Sequence, residues 1–240
     1  MTDEHRNRLL ENLQSVRTRI EAACLRAGRS INDVKLVAVT KYAQLEWVRE
    51  LVNMGLLDLG ESRPQQLVAR AKELPENVRW HMIGHLQRNK ADDLLPVTSL
   101  IHSVDSVRLF DHLAKAGQRL TQPPQILLEV NVSGEASKDG FQPGALIEAW
   151  PRLQLCESLT IAGLMTMAPL DDTPDVARAV FRQLRELRDQ LRTESAGQHP
   201  LSELSMGMSG DFEVGIEEGA TIIRIGSSLF DGLIEAIEMH

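Results

Sequence analysis

Cysteine is nearly absent from this chain. Its 240 residues hold two, Cys24 and Cys156, far apart in the sequence. That excludes a disulfide framework and reads as two small, partly buried thiols in a reducing compartment. Basic excess is absent as well: 26 Lys and Arg stand against 34 Asp and Glu, a formal net charge of -8. A nucleic-acid footprint needs a basic face, so partners of that kind are not expected. No apolar run approaches the roughly 18 residues of a membrane span. The opening MTDEHRNRLLENLQ is polar and helical in pattern, not a signal peptide. There is no Pro-, Gly- or Ser-rich linker, no low-complexity run and no second domain. The expectation is one cytoplasmic domain over residues 1–240, with no membrane partner.

What the chain does have is a rhythm. After a helix-patterned stretch at 5–27, short apolar runs recur: KLVAVT (35–40), LLDLG (56–60), RWHMIG (79–84), SLIHSV (99–104), QILLEVNV (125–132), LTIAGLMTM (159–167), LSELSM (201–206) and TIIRIG (221–226). Amphipathic stretches at 45–54, 64–73, 86–95, 107–120, 143–153, 174–194 and 211–218 separate them, and 227–238 follows the last. Alternation of this kind predicts βαβ units and a parallel sheet. Eight strands with helices between them match an α/β fold of the (β/α)8 TIM-barrel type, with an extra N-terminal helix. An open doubly wound sheet competes; the even spacing favours closure.

In such barrels the chemistry sits at the C-terminal ends of the strands. Strand one delivers Thr40 and Lys41 there. Strands seven and eight end in SMGMSGDFE (205–213) and IIRIGSSLF (222–230), which place Met208, Ser209, Gly226 and Ser227 on the two loops where barrels frequently bind phosphate. Glycine lets backbone N–H groups approach an anion, and serine adds a hydroxyl. A semi-buried lysine can act as a nucleophile. Together they suggest a phosphorylated aldehyde or sugar, and pyridoxal 5′-phosphate fits both ends. Arg224, two residues before Gly226, shares its inward face and could meet a pyridine nitrogen; a core carboxylate such as Glu129 or Glu61 would serve it equally well. His81 and His85 read as core or rim histidines rather than metal ligands, and no Ser/His/Asp triad has an elbow motif.

The stretches LVAVTKY, LGESRPQQL, WHMIGHLQRNK, LLEVNVSGEASKDGF, GLMTMAP and LSMGMSGDFEVGIEEGATIIRIGSSLFDG run in order through residues 5–232. In them the chain resembles the YggS/PROSC family of pyridoxal phosphate homeostasis proteins. The resemblance implies a fold-type III barrel like the N-terminal domain of alanine racemase, with Lys41 as the cofactor lysine. It also implies phosphate contacts at Ser209, Gly226 and Ser227, and Arg224 on the pyridine nitrogen. Asn131, His81, Met165 and Lys138 lie in motifs that border the site. Ser62 stands where the family often has asparagine, and serine is the shorter side chain.

Three functions compete. The first is a non-catalytic carrier that holds pyridoxal phosphate as a Schiff base on Lys41, in buffering or delivery to apo-enzymes, and works as a monomer. The second is a small pyridoxal-phosphate enzyme such as an amino-acid racemase, with Lys41 and a water or His81 as bases. The third is a sugar-phosphate enzyme using Lys41 without a cofactor. The only tyrosine, Tyr42, would point away from Lys41 if the first strand continued through it.

Overall fold

The computed structural model describes every residue except 136, 170–172, 196–198 and 235–240. Eight short strands carry the apolar runs: β1 (Lys35–Val39), β2 (Asp58–Glu61), β3 (Arg79–Met82), β4 (Leu100–Val104), β5 (Gln125–Glu129), β6 (Thr160–Met165), β7 (Glu203–Ser205) and β8 (Ile222–Ile225). All pair in parallel in chain order, and β8 returns to β1, so the sheet closes as a barrel. Closure removes the open sheet as an alternative.

Alternation within each strand divides the core in two. Outward residues such as Leu59, Trp80, Met82, Ile101, Leu128, Leu164, Leu204 and Ile223 join the large core beneath the helices. Inward residues Val37, Leu100, Leu127, Ala162, Met165 and Ile222 form a separate small cluster inside the barrel. The sheet is tight where β6 meets β7. A Cβ on Gly163 would lie 1.8 Å from the Glu203 carbonyl oxygen, so only glycine allows that pairing.

The helices are α1 (Asp3–Arg26), α2 (Leu45–Asn53), α3 (Pro64–Ala71), α4 (Ala91–Leu94), α5 (Val107–Gly117), α6 (Pro143–Leu153), α7 (Pro174–Glu194) and α8 (Phe212–Glu217). In α7 the buried residues Ala177, Val180, Phe181, Leu184, Leu187 and Leu191 follow the helical period and make one apolar stripe. Full burial of each large member contributes roughly 1.5–3 kcal/mol. The extra helix α1 buries Leu9, Leu13, Val16 and Ile20 and is tied to α8 through Arg19–Glu213 at 2.7 Å and Arg26–Glu217 at 2.8 Å.

Two helical expectations need correction. The stretch 86–95 holds only the four-residue α4, flanked by 3-10 turns at Arg88–Lys90 and Leu95–Val97. Pro96, with no N–H to donate, ends it. The final helix expected over 227–238 is a series of turns as far as 234, and 235–238 lie outside the described residues.

Candidate functional site

Lys41 does not sit on a strand. β1 ends at Val39, and residues 41–42 form a turn that is clamped from below. Arg70 of α3 donates to the Thr40 carbonyl at 2.7 Å, to the Ala43 carbonyl at 2.5 Å and to the Glu61 carboxylate at 2.5 Å. Thr40 Oγ1 donates to the same carboxylate at 2.5 Å, and Gln66 donates to the Lys41 carbonyl at 3.1 Å. Burial pushes the Glu61 carboxyl up, and the Arg70 guanidinium works against that rise. A flexible side chain thus stands on a fixed backbone. The same early turn overturns the expected direction of Tyr42: its ring centre lies 4.8 Å from Lys41 Nζ, and both side chains line the cavity described next.

That cavity occupies the C-terminal mouth and encloses about 500 Å³. Lys41, Tyr42, Met208, Ser209, Gly226 and Ser227 border it, with Arg224 and Lys138 also on its wall. At the loops after β7 and β8, the N–H groups of Gly226 and Ser228 converge on Ser209 Oγ at 3.4 and 3.3 Å. These are long contacts in which two backbone donors point at the serine hydroxyl oxygen, which keeps its own hydrogen to donate. Gly207 has φ +97°, and a Cβ there would come 2.8 Å from Phe212 Cα. Its glycine keeps the loop after β7 folded close to α8.

Arg224 is 4 % exposed. It donates to Ser205 Oγ at 2.5 Å and to the Thr166 carbonyl at 3.1 Å. Burial lowers its guanidinium to about 10, with Glu129 and Asp211 acting to raise it, so it remains a cation at neutral pH. Neither carboxylate considered from the sequence accepts a hydrogen bond from it: Glu61 is bound to Arg70 and Thr40. Instead Arg224 heads a chain that crosses the barrel. His102 Nδ1 is 2.8 Å from Ser205 Oγ, His102 Nε2 is 2.9 Å from His81 Nδ1, and His81 Nε2 is 3.0 Å from Asp58 Oδ1. Asp58 accepts both Nε and Nη2 of Arg79, at 2.8 and 2.6 Å, on the opposite face.

The two ends of this chain assign its protons. Arginine can only donate and an ionised carboxylate can only accept. Burial opposes ionisation of Asp58, yet hydrogen bonds from Arg79 and His81 hold its carboxyl well below the usual range. Burial also lowers both imidazoles, which keeps them neutral. Hence His81 donates from Nε2 and accepts at Nδ1, His102 does the same, and Ser205 donates to His102 while accepting from Arg224.

The structure therefore brings together Lys41, Met208, Ser209, Arg224, Gly226 and Ser227, and it leaves His81, Met165 and Asn131 off the cavity wall. His81 has both ring nitrogens engaged deep in the barrel. Met165 belongs to the apolar cluster inside it. Asn131 organises the loop after β5: its amide nitrogen donates to the Glu135 and Lys138 carbonyls, and its oxygen accepts from Ser133 and Gly134. That loop carries Lys138 to the cavity, where Nζ pairs with Glu135 at 2.6 Å. Ser62 is not on the wall; its backbone packs against Gly84 so closely that a Cβ there would lie 2.5 Å from the Ser62 carbonyl oxygen. Asp58, His102 and Ser205 were not singled out from the sequence. Strand parity was the available signal, since Ser205 and Arg224 are polar residues on inward-facing positions of apolar strands.

A lysine turn, a two-amide and hydroxyl cradle and a buried donor-only arginine around one cavity can be set beside known proteins. The family profile of the alanine racemase N-terminal domain matches residues 6–233. The pyridoxal phosphate homeostasis protein of Aquifex aeolicus is 43 % identical over 221 residues, 92 % of this chain and 96 % of that protein. The chain belongs to the family of pyridoxal phosphate homeostasis proteins. Among solved structures, PipY of Synechococcus elongatus with pyridoxal phosphate bound is 34 % identical and superposes with a TM-score of 0.81, covering 92 % of this chain and 99 % of PipY. An alanine racemase of Clostridium difficile shares the fold at 16 % identity and a TM-score of 0.72. This chain spans 59 % of it. Among the described residues no helix is long and apolar enough to cross a membrane.

Proposed function

We propose that this protein binds pyridoxal 5′-phosphate at the barrel mouth and takes part in homeostasis of that cofactor, holding and releasing it without a reaction of its own. The observation that carries the reading is the span of one cavity from the clamped Lys41 turn to the convergent Ser209, Gly226 and Ser228 donors, with Arg224 on its wall. The residues fit the group. Lys41 would hold its aldehyde as a Schiff base, and Ser209, Gly226 and Ser227 would take its phosphate. Met208 would border the ring and Arg224 would face the ring nitrogen. His81, Met165 and Asn131 would act from behind this set, through the Arg224 chain, the barrel filling and the Lys138 loop. When bound, the group supplies a reversible carbonyl and a ring able to accept negative charge. Arg224 limits the second property, because a donor that stays cationic leaves the ring nitrogen unprotonated. Delivery to apo-enzymes, a monomeric state and a cytoplasmic location complete the reading.

The test is direct. Purified protein should show a visible absorbance band that borohydride converts to a reduced adduct on Lys41, and Lys41→Ala should be colourless. Wild-type protein with no cofactor by spectrum or by mass, even after incubation with it, would sink the proposal. Tyr42, close to Lys41, favours one second reading, a small racemase. Rapid exchange of an amino acid's α-proton with solvent deuterium, abolished by Tyr42→Phe, would select it over the carrier.

A further inference from the structure

One face of α3 holds the turn that carries Lys41. Gln66 and Arg70 stand four residues apart on that helix, so their side chains share a face. The Arg70 guanidinium reaches the two carbonyls that flank the Lys41–Tyr42 pair: Nη1 donates to Thr40 at 2.7 Å and Nη2 to Ala43 at 2.5 Å. Gln66 donates to the carbonyl of Lys41 itself at 3.1 Å. The Ala43 N–H closes the turn on the Thr40 carbonyl at 2.9 Å. The backbone on both sides of Lys41 is thus committed, while the side chains of Lys41 and Tyr42 are left to line the cavity.

The bracket has its own anchor. Glu61, at the end of β2, is fully buried, and its Oε1 accepts from Arg70 Nη1 and from Thr40 Oγ1, each at 2.5 Å. Its Oε2 has no hydrogen-bond partner among the described residues. Arg70 is largely buried too, with 12 % of its side chain exposed. A buried ion pair adds little net stability. What this one does is fix the plane of a guanidinium that reaches two carbonyls at once.

We propose that Arg70 is a positioning residue for Lys41: by bracketing the turn it places Nζ where a ligand aldehyde arrives, and so sets how firmly the cofactor is held without touching it. The role rests on the proposed cofactor binding, in which the loops after β7 and β8 seat the phosphate. The bond-forming step joins neutral Nζ to the aldehyde carbon and expels the aldehyde oxygen as water with both amine hydrogens; nothing is oxidised or reduced. With the phosphate already seated, that step is in effect intramolecular, and its gain depends on where the amine stands to within about 0.5 Å. A turn freed of its bracket keeps the amine and loses the placement.

The experiment titrates cofactor-free protein with pyridoxal phosphate, read by visible absorbance, and with pyridoxine 5′-phosphate, read by calorimetry. The second ligand carries the same ring and phosphate with an alcohol in place of the aldehyde, so it reports every contact except the bond to Nζ. Arg70→Gln should weaken pyridoxal phosphate binding by roughly 10–100-fold, the cost of displacing a reacting group by up to about 1 Å, and leave pyridoxine phosphate nearly unchanged. Arg70→Lys keeps a cation and three donors for Glu61 and the carbonyls, so it should recover part of the loss. Equal losses for the two ligands would mean that Arg70 acts through the general fold and would overturn the proposal. So would unchanged pyridoxal phosphate affinity in Arg70→Gln, or no recovery in Arg70→Lys. Gln66→Ala leaves Glu61 both of its donors and gives a second route if Arg70→Gln unfolds. It should show the same split between the ligands at smaller size, and in that case the lack of a split overturns the proposal. Wild type that takes up no pyridoxal phosphate would sink the cofactor reading and this role together, whereas variants that match a cofactor-binding wild type sink this role alone.

Discussion

Ser209→Ala isolates the phosphate half of the proposed site. In the structure this hydroxyl is the point on which the Gly226 and Ser228 N–H groups converge, at 3.4 and 3.3 Å. Both contacts are longer than the usual 2.9–3.0 Å or so, so little is lost within the protein when the hydroxyl goes. What is lost is one donor to a bound anion. A hydrogen bond to a charged group contributes about 1.5–3 kcal/mol. The two backbone donors remain in the variant and compensate in part, which puts the expected loss near the low end, at about 1.5–2 kcal/mol. With 1.4 kcal/mol to a factor of ten, that is roughly 10–30-fold weaker binding. The assay is titration of cofactor-free protein, followed by visible absorbance, with pyridoxal phosphate and in parallel with pyridoxal. Pyridoxal has the same aldehyde and no phosphate, so its affinity should hardly change. An equal loss for both ligands would place the effect at Lys41 or in the general fold. A loss under roughly threefold for pyridoxal phosphate would show that Ser209 does not touch the phosphate, and either outcome refutes the assignment.

Other consequences can be checked separately. Asp58→Asn cuts the chain that runs from Arg79 to Arg224. Arg79 is half exposed and its share is screened, so the cost at neutral pH should be about 2–3 kcal/mol in urea unfolding. The Asp58 carboxyl is depressed in the folded state, so its stabilisation is present above the unfolded value near 3.9 and is lost as pH falls through the folded value. The gap between wild type and variant should stay constant from about pH 5 to 8 and close only in strong acid; a gap that persists there would mean a steric effect. Gly163→Ala forces a Cβ to within 1.8 Å of the Glu203 carbonyl oxygen and should abolish soluble expression or cost more than about 4 kcal/mol. Gly144→Ala, in α6 with nothing within 4 Å, should be neutral or stabilise by up to about 1 kcal/mol, which the same unfolding curve would show.

The barrel and the two ends of its cavity were legible because each rests on local pattern. Apolar runs at even spacing specify strands one at a time, and loop glycines and serines announce themselves by type. What was not legible depends on which residues meet across the barrel. His102 and Ser205 lie on β4 and β7, more than one hundred residues apart in the chain, and only closure of the sheet brings them to 2.8 Å. Tyr42 escaped for a smaller reason. The strand stops at Val39, and residues 41–42 turn, so alternation no longer applies where the sequence reading applied it.

Arg224 shows how the legible and the illegible combine. Its inward position follows from parity with Gly226, but its partner does not. On sequence alone Glu129 and Glu61 competed with a ligand for it. In the structure Glu61 is committed to the turn that carries Lys41, and Arg224 donates to Ser205 and the Thr166 carbonyl rather than to Glu129. Among the described residues no carboxylate accepts a hydrogen bond from the arginine. The acceptor chain that begins at Ser205 ends on Asp58 at the far face, and every link in it has one fixed direction once both ends are ionised. A guanidinium lowered only to about 10 keeps its proton at neutral pH, and its bonds to Ser205 and the Thr166 carbonyl fix it as a donor. The same feature that keeps Arg224 in place therefore argues for a site that holds its cofactor rather than one that drives proton chemistry through the ring nitrogen.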